Sequence, residues 1–193
     1  MKALTRRFFV RPAEQVAREL IGTRIEVRSR PGSRVAALIT ETEAYLGRDD
    51  PASHAYRGRL HAGNASIYGA PGTWYVYRSY GIHWCANLVA GPAGSGAAVL
   101  LRGVLPLEGV MRMRRRRGRP DLPDRLLANG PGNLTQALAI TRALDGWLMW
   151  ESAALVGRGE RDRLGPLRIT PRVGITRAAD WPLRFVVAPA GGG

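Results

Sequence analysis

Two runs of alternating, β-branched residues, TRIEVRS over 23–29 and RVAALITETEAY over 34–45, flank the turn residues Pro31, Gly32 and Ser33. Apolar residues at every second position call for a sheet with one buried face, and turn chemistry between two such runs makes them an antiparallel pair. The pattern recurs downstream. TWYVYR and IHWCANLV form a second hairpin turned at Ser79, Tyr80 and Gly81, AAVLLRGV adds a strand after a glycine-rich connection, and PLRI and PLRFVVA supply the last strand candidates. Helical spacing is confined to three segments. Residues 12–21 place Ala13, Val16, Ala17, Leu20 and Ile21 on one face between Pro12 and Gly22. Residues 107–117 read as a short helix running into an arginine block, and 133–143 as another, with Asn133 as cap and Gln136 in the capping-box position. With no repeat and no linker between two cores, the 193 residues form one α+β domain with mostly antiparallel strands, burying roughly 70% of its unfolded surface. Residues 190–193, AGGG, are expected to fray.

Single-residue counts exclude whole chemistries. Lys2 is the only lysine among 29 basic residues, so the body of the fold has no amine for a Schiff base and no P-loop lysine. Cys85 is the lone cysteine, which removes intrachain disulfides and cysteine-cluster zinc sites, and a reducing cytoplasm fits. The basic start MKALTRRFFVRPAEQ lacks an apolar run of signal-peptide length, so export is not expected. The uncharged stretch between Arg78 and Arg102 is interrupted by Asn87, Pro92 and three glycines between 91 and 96, and reads as strands and a loop instead of a membrane helix. A net charge of +14 favours a polyanionic partner.

Several side chains could carry chemistry. Strand alternation puts Ile39, Glu41, Glu43 and Tyr45 on one face, with the two carboxylates about 7 Å apart. Such a pair either flanks a scissile bond or forms a solvated strand end paired with arginine, and alternation does not say which glutamate matters. The three histidines, His54, His61 and His83, fit no metal-binding spacing, so no metal is expected. From Gly47 to Gly72 the sequence has no sustained period, the mark of a functional or mobile loop. Trp74, Tyr75, Tyr77, Tyr80 and Trp84 crowd one hairpin, with Tyr75 and Tyr77 on one face and Trp74 and Val76 on the other. Half of this set is core packing. Tyr80, at the turn, is shaped to wedge between base pairs, while neighbouring rings could sandwich an extruded base. The arginines from Arg112 to Arg119 either contact phosphate or form a solvated face.

Five collinear segments, ITETEAYLG, PGTWYVYRSYGIHWCANL, VLLRGVLPLEG, LANGPGNLTQALAI and PRVGI, resemble the alkyladenine (3-methyladenine) DNA glycosylases, and the likeness runs from RRFF to PLRF. The resemblance implies a single domain with a mixed, mostly antiparallel sheet and peripheral helices. It implies that Glu43 is the general base acting on a water that attacks the anomeric carbon, with Arg102 and the backbone carbonyl of Val173 holding that water and Glu41 in support. Tyr45, Tyr77 and His54 would line the pocket and stack on a flipped purine, with main-chain amides near Ala52 and His54 at its edge. Asn87 would crowd the amino group of a normal guanine. Tyr80 would fill the gap left in the duplex, with Ile82 and His83 beside it on the DNA. No cofactor is implied; the partner is double-stranded DNA, the protein a monomer, and the compartment a bacterial-type cytoplasm. His83 and the richness of the arginine block depart from the family pattern. Two other readings remain open on the residues alone: a catalytically silent nucleic-acid binder using the same basic aromatic surface, and an unrelated small-molecule hydrolase or transferase.

Overall fold

A computed structural model describes residues 1–30 and 33–188. The turn residues Pro31 and Gly32 and the tail 190–193 lie outside the described residues. Among the described residues, eight strands form one sheet in which every ladder is antiparallel. In chain order they are β1 (Arg24–Arg30), β2 (Ser33–Tyr45), β3 (Trp74–Ser79), β4 (His83–Val89), β5 (Ala98–Glu108), β6 (Ala154–Gly157), β7 (Arg168–Thr170) and β8 (Arg184–Val186). The spatial order is β3-β4-β5-β2-β1-β6, with β8 pairing both β2 and β7. The α+β architecture with peripheral helices is the one expected; the sheet holds no parallel pair among the described strands.

β2 is the spine. On one edge it pairs with β5 from Ala36 to Tyr45; on the other it pairs first with β1 and then, over Glu41–Glu43, with β8. Its main core face meets helix α2 (Ala13–Leu20), as the apolar spacing of that segment requires: Val16, Ala17 and Leu20 are fully buried. Thr42 ties the two elements by donating its hydroxyl to Ala17 O at 2.8 Å. Trp74 and Val76 of β3 enter this same core, whereas Tyr75 joins Ala55, Ile67, Val89 and Ala98 in a smaller cluster. The alternation along β3 therefore separates core packing from the opposite face, as the sequence indicates.

The β2–β5 ladder breaks the simple alternation expected along β2. Ile39 faces Val104 and Glu41 faces Gly103, so Thr40 is an extra residue on β2; Glu41 faces Gly103 and Thr42 faces Leu101, so Arg102 is an extra residue on β5. Two opposed bulges restore register while re-aiming the side chains between them, which is the usual service of a bulge beside a functional site. Ile39 consequently belongs to the main core, away from Glu41 and Glu43.

The helices differ in detail from their sequence signals. β5 runs through Glu108, and Gly109, at φ +72°, breaks it before α3 (Val110–Arg117), so 107–109 are not helical. The helix expected at 133–143 is shifted: it starts at Pro131 and ends at Leu138, with Gly130 at its head. Proline favours the first helical position, and Asn133 donates instead to Asn129 O at 2.6 Å, so no capping box forms. Two short helices, α1 (Arg6–Phe9) and α4 (Asp124–Leu127), and strand β6 carry too few residues for a period to declare them.

The segment 47–72 contains three short 3-10 turns. It is anchored by a buried ion pair: Asp50 and Arg172 have no exposed side-chain surface, and Arg172 Nη2 donates to Asp50 Oδ1 at 2.9 Å. Asp50 also accepts the Leu46 and Ala52 amides, each at 3.0 Å, while Arg172 donates to Ala44 O at 3.1 Å. Burial opposes the Asp50 charge, but Arg172 and the two amides overcome it and hold the carboxyl below its ordinary range. Truncating one partner strands the other without water. Asp50→Ala and Arg172→Ala are each expected to lower unfolding free energy by about 3–5 kcal/mol, and the double variant by clearly less than their sum, as read by denaturant melts.

Candidate active site

A cavity of about 490 Å³ opens on the face of the sheet opposite α2. β3, β4 and β5 build its floor, and the 52–54 and 173–175 segments supply its walls. Most of the residues singled out from sequence meet here: Tyr45, Ala52, His54, Tyr77, Asn87 and Arg102 line it, as do Val173, Tyr80 and His83. Two do not. Ile82 belongs to an adjoining cavity with His83 and Trp84, and Glu43, with no exposed surface, lies behind the wall formed by Tyr45, Arg102 and Val173.

Glu43 is held on several sides. Its Oε1 accepts the Val173 N–H at 2.7 Å, its Oε2 accepts the Tyr45 hydroxyl at 3.0 Å, and Arg102 approaches at 3.4 Å. Val173 thus meets Glu43 through its amide, a contact separate from the hold on the attacking water that the resemblance implies for its carbonyl. Burial pushes the Glu43 carboxyl above its ordinary value, an effect that Arg102, the Val173 amide and Tyr45 only partly offset. Glu41 shares the same cation: its Oε1 accepts from Arg102 Nε and from Arg184 Nε, both at 2.7 Å. Burial would lower Arg102, yet Glu43 and Glu41 together raise it, so this guanidinium stays charged between two carboxylates.

The aromatic side of the cavity is ordered by close ring contacts. Tyr75 and Tyr77 stack with centroids 5.3 Å apart, and the His54 ring stands edge-on to Tyr77 at 4.5 Å. His54 Nδ1 lies 2.7 Å from the Tyr75 hydroxyl, so a proton donated there leaves Nε2–H as the histidine's donor. Burial, with His61 and Arg59 nearby, lowers the His54 pKa and keeps the ring neutral at pH 7. Burial likewise raises Tyr45, Tyr75 and Tyr77, whose hydroxyls stay protonated. Asn87 faces Tyr75 across the β3–β4 ladder and Leu100 across β4–β5, and donates to Tyr75 O at 3.1 Å. The Ala52 amide, expected at a purine edge, is already donated to Asp50.

At the cavity rim the β3–β4 turn projects into solvent: Tyr80 is 88% exposed and Ile82 75%. Tyr80 and Gly81 have φ of +49° and +68°, a left-handed pair that suits a tight hairpin but strains a tyrosine. Asp50, Arg172 and Arg184 are parts of the site's support that strand patterning misses, because each acts through partners more than 100 residues away. Their only sequence trace is position: Asp50 closes the segment after ETEAYLG, Arg172 precedes Val173 in PRVGI, and Arg184 sits in PLRF.

Comparison with known proteins is consistent along the whole chain. The family model described as methylpurine-DNA glycosylase (MPG) matches residues 7–190. A protein of Rhodopseudomonas palustris (strain HaA2), named "Putative 3-methyladenine DNA glycosylase", is 47% identical over 184 residues, covering 94% of this chain and 85% of the relative. Bearers of the same name in Granulibacter bethesdensis and Koribacter versatilis are 45% and 42% identical, covering 94% and 96% of this chain and 82% and 89% of their own. With a matched span that contains the buried Glu43, its arginine and the aromatic cavity, the chain belongs to the methylpurine-DNA glycosylase family.

Proposed function

We propose that this protein excises alkylated purines, 3-methyladenine and 7-methylguanine among them, from double-stranded DNA by flipping the damaged nucleotide into the aromatic cavity and hydrolysing its N-glycosidic bond. The observation that carries this reading is the placement of Glu43: one carboxylate, raised by burial, directly behind a cavity walled by stacked tyrosines. Departure of the purine leaves an oxocarbenium-like sugar, which a carboxylate stabilises while taking a proton from the attacking water. Alkylation at N3 or N7 makes the base a cation and a good leaving group, and tyrosine faces attract it by about 1 kcal/mol or more. Because Glu43 is covered, the water reaches it only by taking over hydrogen bonds now made by Tyr45, the Val173 amide or Arg102. Asn87, which donates to Tyr75 O, excludes an undamaged guanine in this reading by crowding its amino group. Tyr80 fills the gap in the duplex, flanked by Ile82 and His83. The enzyme works as a monomer in the cytoplasm.

Burial holds His54 neutral and the lining tyrosines protonated at neutral pH, so neither is an effective acid toward a departing base. Cationic lesions, which leave without a proton, are therefore preferred over neutral ones such as hypoxanthine or ethenoadenine. The enzyme is also monofunctional: Lys2, the single lysine, does not line the cavity, so no side-chain amine reaches an abasic sugar.

On methylated duplex DNA the unmutated protein should release free 3-methyladenine, and Glu43→Gln should slow release by about 10²–10⁴-fold with DNA binding retained; equal rates would refute the base. The pH profile follows from the raised Glu43 pKa. Water activation needs the ionised form, so single-turnover rates should fall as pH drops through an apparent pKa above 4.5, and Glu43→Gln should lack that acidic limb. Tyr80→Ala should cost about tenfold or more on duplex substrate and much less on a single-stranded oligonucleotide carrying the same lesion. Borohydride should trap no covalent protein–DNA adduct during turnover.

A further inference from the structure

A second cavity, of about 260 Å³, lies on the same face of the sheet as the aromatic one, on the other side of the Glu41–Arg184 pair. The register explains the placement. Glu41 is opposite Val186, Glu43 opposite Arg184, and Arg168 of β7 opposite Val186, so alternation sets Glu41, Arg184 and Arg168 on the face that carries Glu43. Thr42 and Phe185 take the core face. Arg125, from the short helix Asp124–Leu127, completes the rim.

Arg125 and Arg168 are exposed, and neither has a carboxylate within ion-pair distance among the described residues. Arg184 is held by Glu41 and by Thr170, to whose hydroxyl it donates at 3.0 Å. Three guanidinium groups around one carboxylate, itself shared with Arg102, leave the cavity with about two uncompensated positive charges at its mouth. Arginine forks of this kind match the geometry of phosphate oxygens.

We propose that Arg125 and Arg168 clamp a phosphate group over the Glu41–Arg184 pair. The phosphate is either one of the DNA backbone, beyond the nucleotide bound in the aromatic cavity, or a free inorganic ion. An anion here competes with Glu41 for Arg184 and returns Glu41 more fully to Arg102, so occupancy is felt at the cation beside Glu43. The DNA source rests on the function proposed above, but both readouts below are independent of base excision, so failure here leaves the Glu43 test untouched.

The test compares the protein with Arg125→Gln, Arg168→Gln and, as a charge-matched control on the opposite face, Arg18→Gln of α2. Undamaged duplex binding is measured across salt concentrations, and thermal unfolding in inorganic phosphate against chloride at equal ionic strength. A DNA phosphate predicts that each cavity variant shallows the slope of log K against log salt by roughly 0.9 while Arg18→Gln leaves it unchanged. A free ion predicts that phosphate raises the melting temperature of the unmutated protein and of Arg18→Gln but not of the cavity variants. Equal slope changes in all three variants with no phosphate-specific stabilisation, or no change in either measurement, would overturn the site.

Discussion

Arg102 is the cation that lets β2 hold two glutamates out of water. Glu41 and Glu43 retain 8% and 0% of their side-chain exposure, and an isolated carboxylate in such surroundings would simply protonate. The guanidinium touches both, Arg184 relieves Glu41, and the amide of Val173 and the hydroxyl of Tyr45 complete the shell of Glu43. Desolvation still wins at Glu43, and its pKa remains raised. Under the proposed function that outcome has a chemical use, since a carboxylate with a raised pKa accepts a proton more readily than an ordinary one does. Arg102 reaches this position because it is the extra residue of a bulge, and Gly103 beside it leaves room: a Cβ there would come within 3.1 Å of Glu41 Cβ.

The walls of the cavity depend on a second charge pair. Asp50 gathers Leu46 and Ala52, and Arg172 is the residue immediately before Val173, so one buried contact fixes both the loop that presents His54 and the loop whose amide meets Glu43. The Arg172 guanidinium also lies 4.7 Å from the Tyr45 ring. The arginine block, which in the sequence reads as a phosphate contact or as a solvated face, is largely occupied with structure. Arg116 and Arg117 donate to Ala137 O and Leu127 O, and Arg114 reaches Asp124. The first two satisfy carbonyl groups at the C-terminal ends of α5 (Pro131–Leu138) and of the helix Asp124–Leu127.

Sequence alone made much of the fold legible. Alternation marked the two hairpins and set Trp74 and Val76 on one face of β3 and Tyr75 and Tyr77 on the other, leaving the structure to show that the first pair enters the main core, and Pro12 and Gly22 bracketed α2. It failed where a local signal is short or competes with a distant contact. Gly130–Pro131 displaced Asn133 as the start of α5, and the strict face shared by Ile39 and Glu41 was interrupted at Thr40. Bulges of this sort leave no mark in periodicity, because they are defined by the partner strand.

The site divides along the same line. Residue type and order, the ETEAYLG and YVYRSYG segments above all, marked the candidate side chains for the proposed chemistry, and the single lysine, Lys2, is why no amine nucleophile is proposed. Only tertiary structure decided that Glu43, and not Glu41, stands directly behind the aromatic cavity, that Val173 meets it through its amide, and that Asp50 and Arg172 hold the walls. The reason is physical: a side chain's identity is local, but its burial, its pKa and its partners are set by residues more than 50 positions away along the chain.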